Sequence, residues 1–425
     1  MRLTEAERAM LDGHYGPAKA RAMDLLVRYG EALGAERLVK TKNVAGTVGS
    51  ATPFMRAYAE RGFDAVFSEF NLDSREVVET PPMEVGTCQL ISGIDMRNWQ
   101  HQGVSRELVE TQERSERFFA SRGVKMMATC TPYQVGNVPV RDEHCAWMES
   151  SAVVYCNAVL GARTNTEGRE STGAASLTGR IPYWGYHCPE MRRATDLVDV
   201  RVPVSNMLEW GLLGYHVGEV VQDEVPALAG VCGSAEPAWL KHFGAAASSS
   251  GGIEMYHIAG ITPEAPDLET AFGGNKPRRV FDYNKNERRS AYENLNSSAR
   301  DSAVNFVMLG CPHVSAEQLV QIAALLDGKR LNGNCALWVH APRDIRDSAQ
   351  SRAAADTIRR AGAIVMSDTC PAISRAMPPG TAVVATDSAK QAHYLPALTG
   401  VQTWFGSLDD CVEAATSGRW SGELR

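Results

Sequence analysis

The chain has 425 residues, of which 44% are hydrophobic and 22% charged, and its formal net charge is −7. No apolar run approaches the roughly eighteen residues that a membrane-spanning helix requires, and no basic stripe is present to bind nucleic-acid phosphates. Composition therefore excludes a membrane protein and argues against nucleic acid as the main partner. A chain of this length exceeds what one hydrophobic core usually supports, so we expect two lobes, or one large layered domain with an added lobe, and an interdomain cleft for small molecules.

The N-terminus carries acidic residues where a signal peptide has basic and then apolar ones, which predicts a cytoplasmic protein. Thiols stay reduced in that compartment, so ten cysteines favour a metal-binding or catalytic interpretation over disulfides. For any one cysteine the simpler interpretation is a small buried hydrophobic residue.

The N-terminal region, residues 1–300, is predicted to mix helices with α/β units. Helices are expected within 4–34, near 53–61, at 105–122 and at 142–160, and strands at 38–40, 63–71 and 124–128. The acidic segment 73–86 is expected to be an exposed loop. The small residues of 245–252 predict either a close approach by a ligand or a partner backbone, or a flexible loop.

The C-terminal region, residues 301–425, alternates strands and helices. Strands are expected at 304–309, 336–340, 363–366 and 381–385, and helices at 316–326 and 345–361. This alternation predicts an α/β fold with a doubly wound, largely parallel sheet, in which ligands bind beyond the carboxyl ends of the strands.

Three cysteines share one local context, because Cys130, Cys311 and Cys370 each follow a predicted buried strand and precede a proline by one or two residues. Each would therefore lie at the carboxyl end of a strand. Thiolates bind iron, and three of them leave an iron with an open position for substrate. The alternative is that all three are buried structural thiols.

The other seven cysteines lack this pattern. Cys145 and Cys156 are predicted in a helix, Cys335 at the start of a strand, Cys188 and Cys232 in loops and Cys411 near the end of the chain, while Cys88 is the one further candidate. No Cys-x-x-Cys motif occurs, so a zinc ribbon, a ferredoxin-type cluster and a thioredoxin motif have no support.

Six motifs, in order along residues 35–400, resemble the large subunit of the aconitase X family. They are CTPY at 130–133, ESSAVV at 149–154, NAVLGARTNTE at 157–167, YHIAGITPEA at 256–265, GCPH at 310–313 and DTC at 368–370. The resemblance implies an aconitase-like layered α/β fold and a dehydratase with an iron–sulfur cluster held by Cys130, Cys311 and Cys370.

The resemblance also implies a partner, because family members need a small swivelling domain, fused or separate, whose serine is the proposed general base. No copy of it is recognisable in this sequence, so we expect a separate small subunit and a heterodimer. Family members act on cis-3-hydroxy-L-proline or on mevalonate 5-phosphate. The first, converted to Δ1-pyrroline-2-carboxylate, is the expected substrate, since the acids of 73–86 disfavour a phosphate; mevalonate 5-phosphate or another hydroxy acid is the alternative.

Several residues are candidates for substrate contacts or proton transfer. Glu149 and His257 are the tentative catalytic residues, and the predicted substrate-binding residues are Asn71, Ser150, Ser151, Arg163 and Asn165. Arg163 could bind a carboxylate in bidentate fashion, or form a structural ion pair with Glu167. A lone histidine such as His257 is more often structural. Two other classes stay open, a cluster-free binding or scaffold protein and a zinc hydrolase using the same cysteines.

Overall fold

The computed structural model describes residues 1–49, 51–231, 233 and 235–425. The chain forms two compact units. Unit 1 comprises residues 1–94 and 104–192, and unit 2 comprises residues 95–103 and 193–425. Among the described residues, no helix has both the length and the apolar character needed to cross a bilayer.

Unit 1 contains seven helices in its described part, a parallel sheet and a short antiparallel pair. The helices are α1 (Glu5–Leu11), α2 (Pro17–Ala32), α3 (Met55–Arg61), α4 (Phe63–Leu72), α5 (Arg106–Ala120), α6 (Ser150–Val154), continued by a π-helical turn (Tyr155–Val159), and α7 (Arg169–Thr178). The strands are β1 (Leu38–Lys40), β2 (Asn43–Gly46), β3 (Gly86–Gln89), β4 (Val124–Lys125), β5 (Cys145–Trp147) and β6 (Arg180–Pro182). Strands β4-β3-β2-β5 form the parallel sheet, and β1 pairs with β6.

Unit 2 contains two parallel sheets. The helices are α8 (Met207–Val221), α9 (Pro237–Gly251), α10 (Leu268–Ala271), α11 (Lys285–Leu295), α12 (Ala316–Leu326), α13 (Arg343–Asp347), α14 (Arg352–Ala361), α15 (Pro371–Ser374), α16 (Ala389–Thr399) and α17 (Leu408–Ser417). The strands are β7 (Asp196–Val200), β8 (Pro226–Ala229), β9 (His257–Ile258), β10 (Arg279–Tyr283), β11 (Phe306–Leu309), β12 (Ala336–His340), β13 (Ile364–Met366), β14 (Val383–Thr386) and β15 (Gln402–Phe405). Short 3-10 helices lie at Thr52–Phe54, Trp99–Gln102, Pro132–Gln134, Gly185–His187 and Pro189–Arg192.

The three parallel sheets share one strand order. Numbered within each sheet, β4-β3-β2-β5, β9-β8-β7-β10 and β13-β12-β11-β14-β15 all run 3-2-1-4, with a fifth strand in the last. This is the doubly wound order, whose ligand crevice lies at the switch point where the chain reverses direction across the sheet. The switch points fall between β2 and β5, between β7 and β10, and between β11 and β14. The predicted α/β class with parallel, doubly wound sheets is confirmed.

Two predicted elements of unit 1 are wrong. Residues 63–71 form helix α4, not a strand, because Gly62, with φ of 83°, starts a new segment whose buried residues Val66, Phe67 and Asn71 have helical spacing. The helix predicted for 142–160 begins only after Glu149, whose carboxylate accepts a hydrogen bond from the Ala152 amide and caps it. The residues before it form β5, so Cys145 lies in a strand.

Two further predictions changed in detail. The strand expected at 124–128 ends at Lys125, since Ala128 has a left-handed φ of 49°. The helix expected at 345–361 is divided into α13 and α14. The small residues of 245–252 are not a loop: they run to the end of α9 and let α8 approach, because a Cβ on Gly251 would stand 1.9 Å from the Gly218 carbonyl oxygen.

Candidate functional site

Two of the three candidate cysteines follow strands of the five-stranded sheet in unit 2. Cys311 is two residues beyond β11 and Cys370 is four residues beyond β13, and both are buried. The five strands are parallel, so both cysteines lie at the carboxyl edge. This position at the ends of strands agrees with the sequence prediction.

The loops that carry Cys311 and Cys370 are joined through one carbonyl group. Nε2 of His313 lies 3.1 Å, and Nδ1 of His340 3.0 Å, from the carbonyl oxygen of Thr369, the residue before Cys370. A carbonyl only accepts, so each of these ring nitrogens carries its proton. Burial, together with His313, lowers the pKa of His340 to about 3, which keeps its imidazole neutral. The loops beyond β11 and β13 are therefore tied together.

Cys311 has a buried amide donor. Nε2 of Gln391 lies 3.0 Å from the Cys311 Sγ, and Gln391 is 0% exposed. Gln391 stands three residues after Ser388, the N-cap of α16, which is the spacing of a capping box. Its backbone amide uses the Ser388 hydroxyl, but its side chain goes to Cys311 instead of returning to the cap. An N–H donor next to a thiolate suits a metal ligand.

Cys130 lies in unit 1, five residues beyond β4, and is buried. The loop before it is held to the end of β3, because the Ala128 amide donates to the Gln89 carbonyl at 2.9 Å. Over the described residues, no group of three or more His, Cys, Asp and Glu side chains is arranged to hold a metal ion. The three-cysteine ligand set stays a prediction.

The predicted residues of segment 149–151 form a local cap. Oε2 of Glu149 accepts from the Ser151 hydroxyl at 2.7 Å and from the Ala152 amide at 2.8 Å. Ser151 is buried and Ser150 is half-buried at the first position of α6. The segment follows β5, at the switch point of the sheet in unit 1, which is where the fold places ligands.

Arg163 and Asn165 have structural partners. The Arg163 guanidinium lies 2.6 Å from Asp142 and also donates to the His187 carbonyl, so its ion pair is with Asp142 rather than Glu167. This pairing holds the pKa of Asp142 below its usual range. Asn165 donates to the Trp184 carbonyl and accepts from the Tyr186 amide. These contacts hold both side chains in place and do not test the substrate role, which stays a prediction.

His257 and Asn71 are both buried, in different units. His257 is the first residue of β9, an edge strand two strands away from the switch point of its sheet. Asn71 is in α4, and its Oδ1 accepts from Nε of Arg169 at 3.2 Å.

Arg169 was not identified from the sequence, although it is only 5% exposed. The one local signal is its place as first residue of α7, where a cation opposes the helix dipole.

Cys88 behaves as an ordinary buried thiol. It lies in β3 among the core residues around Trp147, and burial raises the pKa of its thiol to about 11. Its Sγ accepts from the Asn137 side-chain amide at 3.3 Å. Cys232 lies outside the described residues.

The acids of segment 73–86 are exposed, as predicted, whereas Ser74, Val78 and Thr80 of the same segment are buried. Three of its four acids bind basic residues of α2, in the ion pairs Asp73–Arg28, Glu76–Arg21 and Glu84–Lys19. These acids are therefore neutralised on the surface, and they no longer argue against a phosphorylated substrate.

The chain matches three family models that together cover most of its length. They are Aconitase X first domain over residues 1–190, Aconitase X second domain over 194–293 and Aconitase X third domain over 304–417. Each segment contains one of the three doubly wound sheets.

Full-length relatives and a solved structure agree with these matches. The chain is 35% identical to the cis-3-hydroxy-L-proline dehydratase of Pseudomonas aeruginosa, covering 98% of this chain and 70% of that protein. It is 34% identical to the phosphomevalonate dehydratase large subunit of Methanothermobacter thermautotrophicus, and the match covers 94% of this chain and 95% of that protein. The crystal structure of Thermococcus kodakaraensis aconitase X in its holo-form superposes with a TM-score of 0.81 at 30% identity, covering 98% of this chain and all of that one. The chain therefore belongs to the aconitase X family.

Proposed function

We propose that the chain is the large subunit of a hydro-lyase that removes water from a small hydroxy acid with the help of an iron–sulfur cluster. The observation that carries this proposal is the nearly full-length match to two relatives whose names both describe dehydratases. Those relatives act on different acids, so the common chemistry is loss of a hydroxyl group and a proton.

Cis-3-hydroxy-L-proline, giving Δ1-pyrroline-2-carboxylate, is the first candidate substrate. Its support is the 35% identity to the Pseudomonas aeruginosa enzyme. Mevalonate 5-phosphate is the second candidate, supported by the 34% identity to a large subunit of nearly equal length. The surface ion pairs of the acidic segment remove the charge argument that favoured the first.

The proposed cluster ligands are Cys130, Cys311 and Cys370. When bound, the cluster supplies a Lewis acid for the departing hydroxyl, which is worth several kcal/mol of charge stabilisation. The residues of unit 2 fit this role, because Gln391 presents an N–H to the Cys311 Sγ and His313 and His340 fix the backbone before Cys370.

Proton removal needs a positioned base, worth roughly a hundredfold or more in rate. We propose that this base comes from a small swivelling partner subunit, as the name "large subunit" of the relatives suggests. Within this chain, Glu149 and His257 are the candidates for assisting proton transfer, and Ser150, Ser151, Arg163 and Asn165 for contacting substrate. The bonds from Ser151 and Ala152 would hold the Glu149 carboxylate in one orientation.

The test is co-expression with the small subunit, anaerobic purification, and proton NMR of mixtures with cis-3-hydroxy-L-proline or mevalonate 5-phosphate. We expect one acid to lose water, and Cys311→Ser to abolish both colour and turnover while the fold survives. An iron-loaded complex that dehydrates neither acid would contradict the proposal. A colourless protein without iron would favour a binding or scaffold protein. A protein that contains zinc but no acid-labile sulfide would favour a zinc hydrolase.

A further inference from the structure

Arg169 is a buried cation whose hydrogen-bond partners among the described residues are uncharged. Its side chain belongs to a residue that is 5% exposed, and it forms no ion pair with a carboxylate of the described residues. Its Nε donates to Asn71 Oδ1 at 3.2 Å and its Nη2 to the Tyr58 hydroxyl at 2.6 Å. A charge removed from water without a counter-charge is strongly unfavourable, so such a group normally has an ionic partner.

Two donors of this cluster lack acceptors. Within the part of the chain that the structure describes, neither Nη1 of Arg169 nor Nδ2 of Asn71 has a hydrogen-bond partner. The orientation of the Asn71 side-chain amide follows from its partner: a guanidinium only donates hydrogen bonds, so the amide oxygen Oδ1 must face Arg169 and Nδ2 must point away from it. Asn71 is 0% exposed, so water does not readily replace the missing acceptor.

Aromatic contacts do not remove this deficit. The Arg169 guanidinium carbon lies 4.0 Å from the centroid of the Phe54 ring and 5.7 Å from that of Phe70. Ring faces stabilise the positive charge, but the N–H bonds lie in the guanidinium plane and still need oxygen acceptors. The rings therefore stabilise part of the positive charge of Arg169, but they leave its free N–H groups without acceptors.

The cluster lies at the carboxyl edge of the parallel sheet in unit 1. The Tyr58 hydroxyl, which accepts from Arg169, donates to the Gly49 carbonyl at 2.6 Å, and the Gly49 amide donates to the Gln89 side chain at the end of β3. The segment before Arg169 is joined to the end of β5, since the Glu167 amide donates to the Trp147 carbonyl. Cys130 follows the same edge, at the end of β4.

We propose that Arg169 and Asn71 form a carboxylate-binding site that takes the carboxylate of the substrate. A carboxylate offers two oxygens in one plane, which matches the free donors of a guanidinium and an amide. The N-terminus of α7, at Arg169, favours an anion at the same place. The proposal rests on the proposed function for its ligand class, a small hydroxy acid, but carboxylate binding can be measured without turnover.

The test measures binding by calorimetry on the anaerobic complex with the small subunit. The probes are acetate, cis-3-hydroxy-L-proline, its carboxamide, mevalonate 5-phosphate and inorganic phosphate. We expect at least one of the carboxylates to bind the wild-type complex, and the carboxamide to bind at least tenfold more weakly than its acid. Arg169→Lys should weaken carboxylate binding about tenfold to a hundredfold, because lysine keeps the charge but loses the planar donors. Arg180→Lys is the matched control, since Arg180 already binds Glu7.

Asn71→Asp keeps the proposal testable if Arg169→Lys folds poorly. The introduced carboxylate would form an ion pair with Arg169 inside the protein. The variant should therefore melt at a higher temperature than wild type and bind added carboxylates more weakly. The proposed site would be contradicted if both variants bound carboxylates as wild type does, or if the acid and its carboxamide bound equally. It would also be contradicted if phosphate bound more tightly than any carboxylate, or if wild type bound no carboxylate. Carboxylate binding that depends on Arg169, with no acid losing water, would contradict only the proposed function.

Discussion

The switch points of the three sheets have the same topology but different chemistry. At the middle sheet, Arg201 follows β7 and forms ion pairs with Asp199 and Asp282, with side chains that are 37% to 55% exposed. At the first sheet the buried Arg169 and Asn71 keep donors without acceptors, and at the third the buried Asp387 and Gln391 keep acceptors without donors. The middle sheet also has a buried polar atom without a partner among the described residues, the Tyr283 hydroxyl at the end of β10. The first and third switch points differ from it because their unsatisfied atoms belong to buried charged and amide groups.

The first and third sheets also differ from each other in what they can bind. Unsatisfied N–H groups in unit 1 suit an anion such as a carboxylate. Unsatisfied oxygens in unit 2, on Asp387 and Gln391, suit a ligand that brings hydroxyl or ammonium hydrogens. Both residues follow β14, across the switch point from β11 and the Cys311 loop. A hydroxy acid carries both kinds of group.

The largest expected effect concerns Asp387, which is buried one residue beyond β14. Burial raises the pKa of this carboxyl to about 7, with Lys241 opposing the shift. The folded state then holds a proton that the unfolded state releases near pH 4, so the contribution of Asp387 to the free energy of unfolding falls between about pH 4 and 7 and is level above that range. The asparagine variant, Asp387→Asn, should remove this loss, on the order of 4 kcal/mol at pH 8. Denaturant unfolding at pH 4.5 and pH 8 measures it, and equal pH dependence in both proteins would contradict the burial argument.

Next in size is the donor to Cys311. Gln391→Leu keeps the volume and removes the N–H, so we expect iron affinity to fall tenfold to a hundredfold, as for other groups that support metal ligands. Gln391→Glu places an acceptor next to sulfur and should weaken iron binding at least as much. Iron content after titration with a chelator gives the affinity. If Gln391→Leu kept as much iron as wild type at each chelator concentration, the Cys311 thiolate would need no hydrogen-bond donor to bind iron.

A smaller effect is expected at Gly173, where α7 packs on Asn71. A Cβ at this glycine would stand 2.6 Å from the Asn71 Cβ and 3.0 Å from its backbone oxygen. Gly173→Ala should therefore destabilise the protein by about 1–3 kcal/mol and weaken carboxylate binding. Gly333→Ala is the control, because nothing lies within 4 Å of its Cβ position. Thermal unfolding and calorimetry distinguish the two, and an unaffected Gly173→Ala would mean that Asn71 is loosely held.

The smallest effect is expected at the middle sheet. Arg201→Gln breaks only exposed ion pairs, which contribute little in water. We expect wild-type melting temperature, iron content and turnover. A large loss of turnover would place a functional site at the switch point that we consider structural.

The sequence predicts the third sheet well because its signals are local. The helix α12 and the strand β12 match their predicted bounds, since Ser315 and Gln318 form the capping box and the apolar residues of 336–340 have no competing pattern. The position of Cys311 beyond a strand follows from the same local pattern. Segment 63–71 was mistaken because its apolar and polar residues fit both a strand and a helix, and only packing decides between them.

The site could not be predicted in full because its contacts are distant in sequence. Arg169 and Asn71 are 98 residues apart, and Gln391 and Cys311 are 80 apart. No periodicity or spacing joins such pairs, and the local role of Gln391, a capping box with Ser388, predicts a different partner for its side chain. Buried polar atoms without a hydrogen-bond partner, which Arg169, Asn71 and Gln391 each have among the described residues, can be recognised only in the folded chain.

The most direct test of the central claim is iron and acid-labile sulfide per chain in anaerobically purified wild type and in Cys130→Ser, Cys311→Ser, Cys370→Ser and Cys88→Ser. We predict that the first three variants lose iron and sulfide together, and that Cys88→Ser, whose thiol is an ordinary core group, keeps the wild-type amounts. Full iron and sulfide in any of the first three variants would contradict the assignment of that cysteine as a cluster ligand.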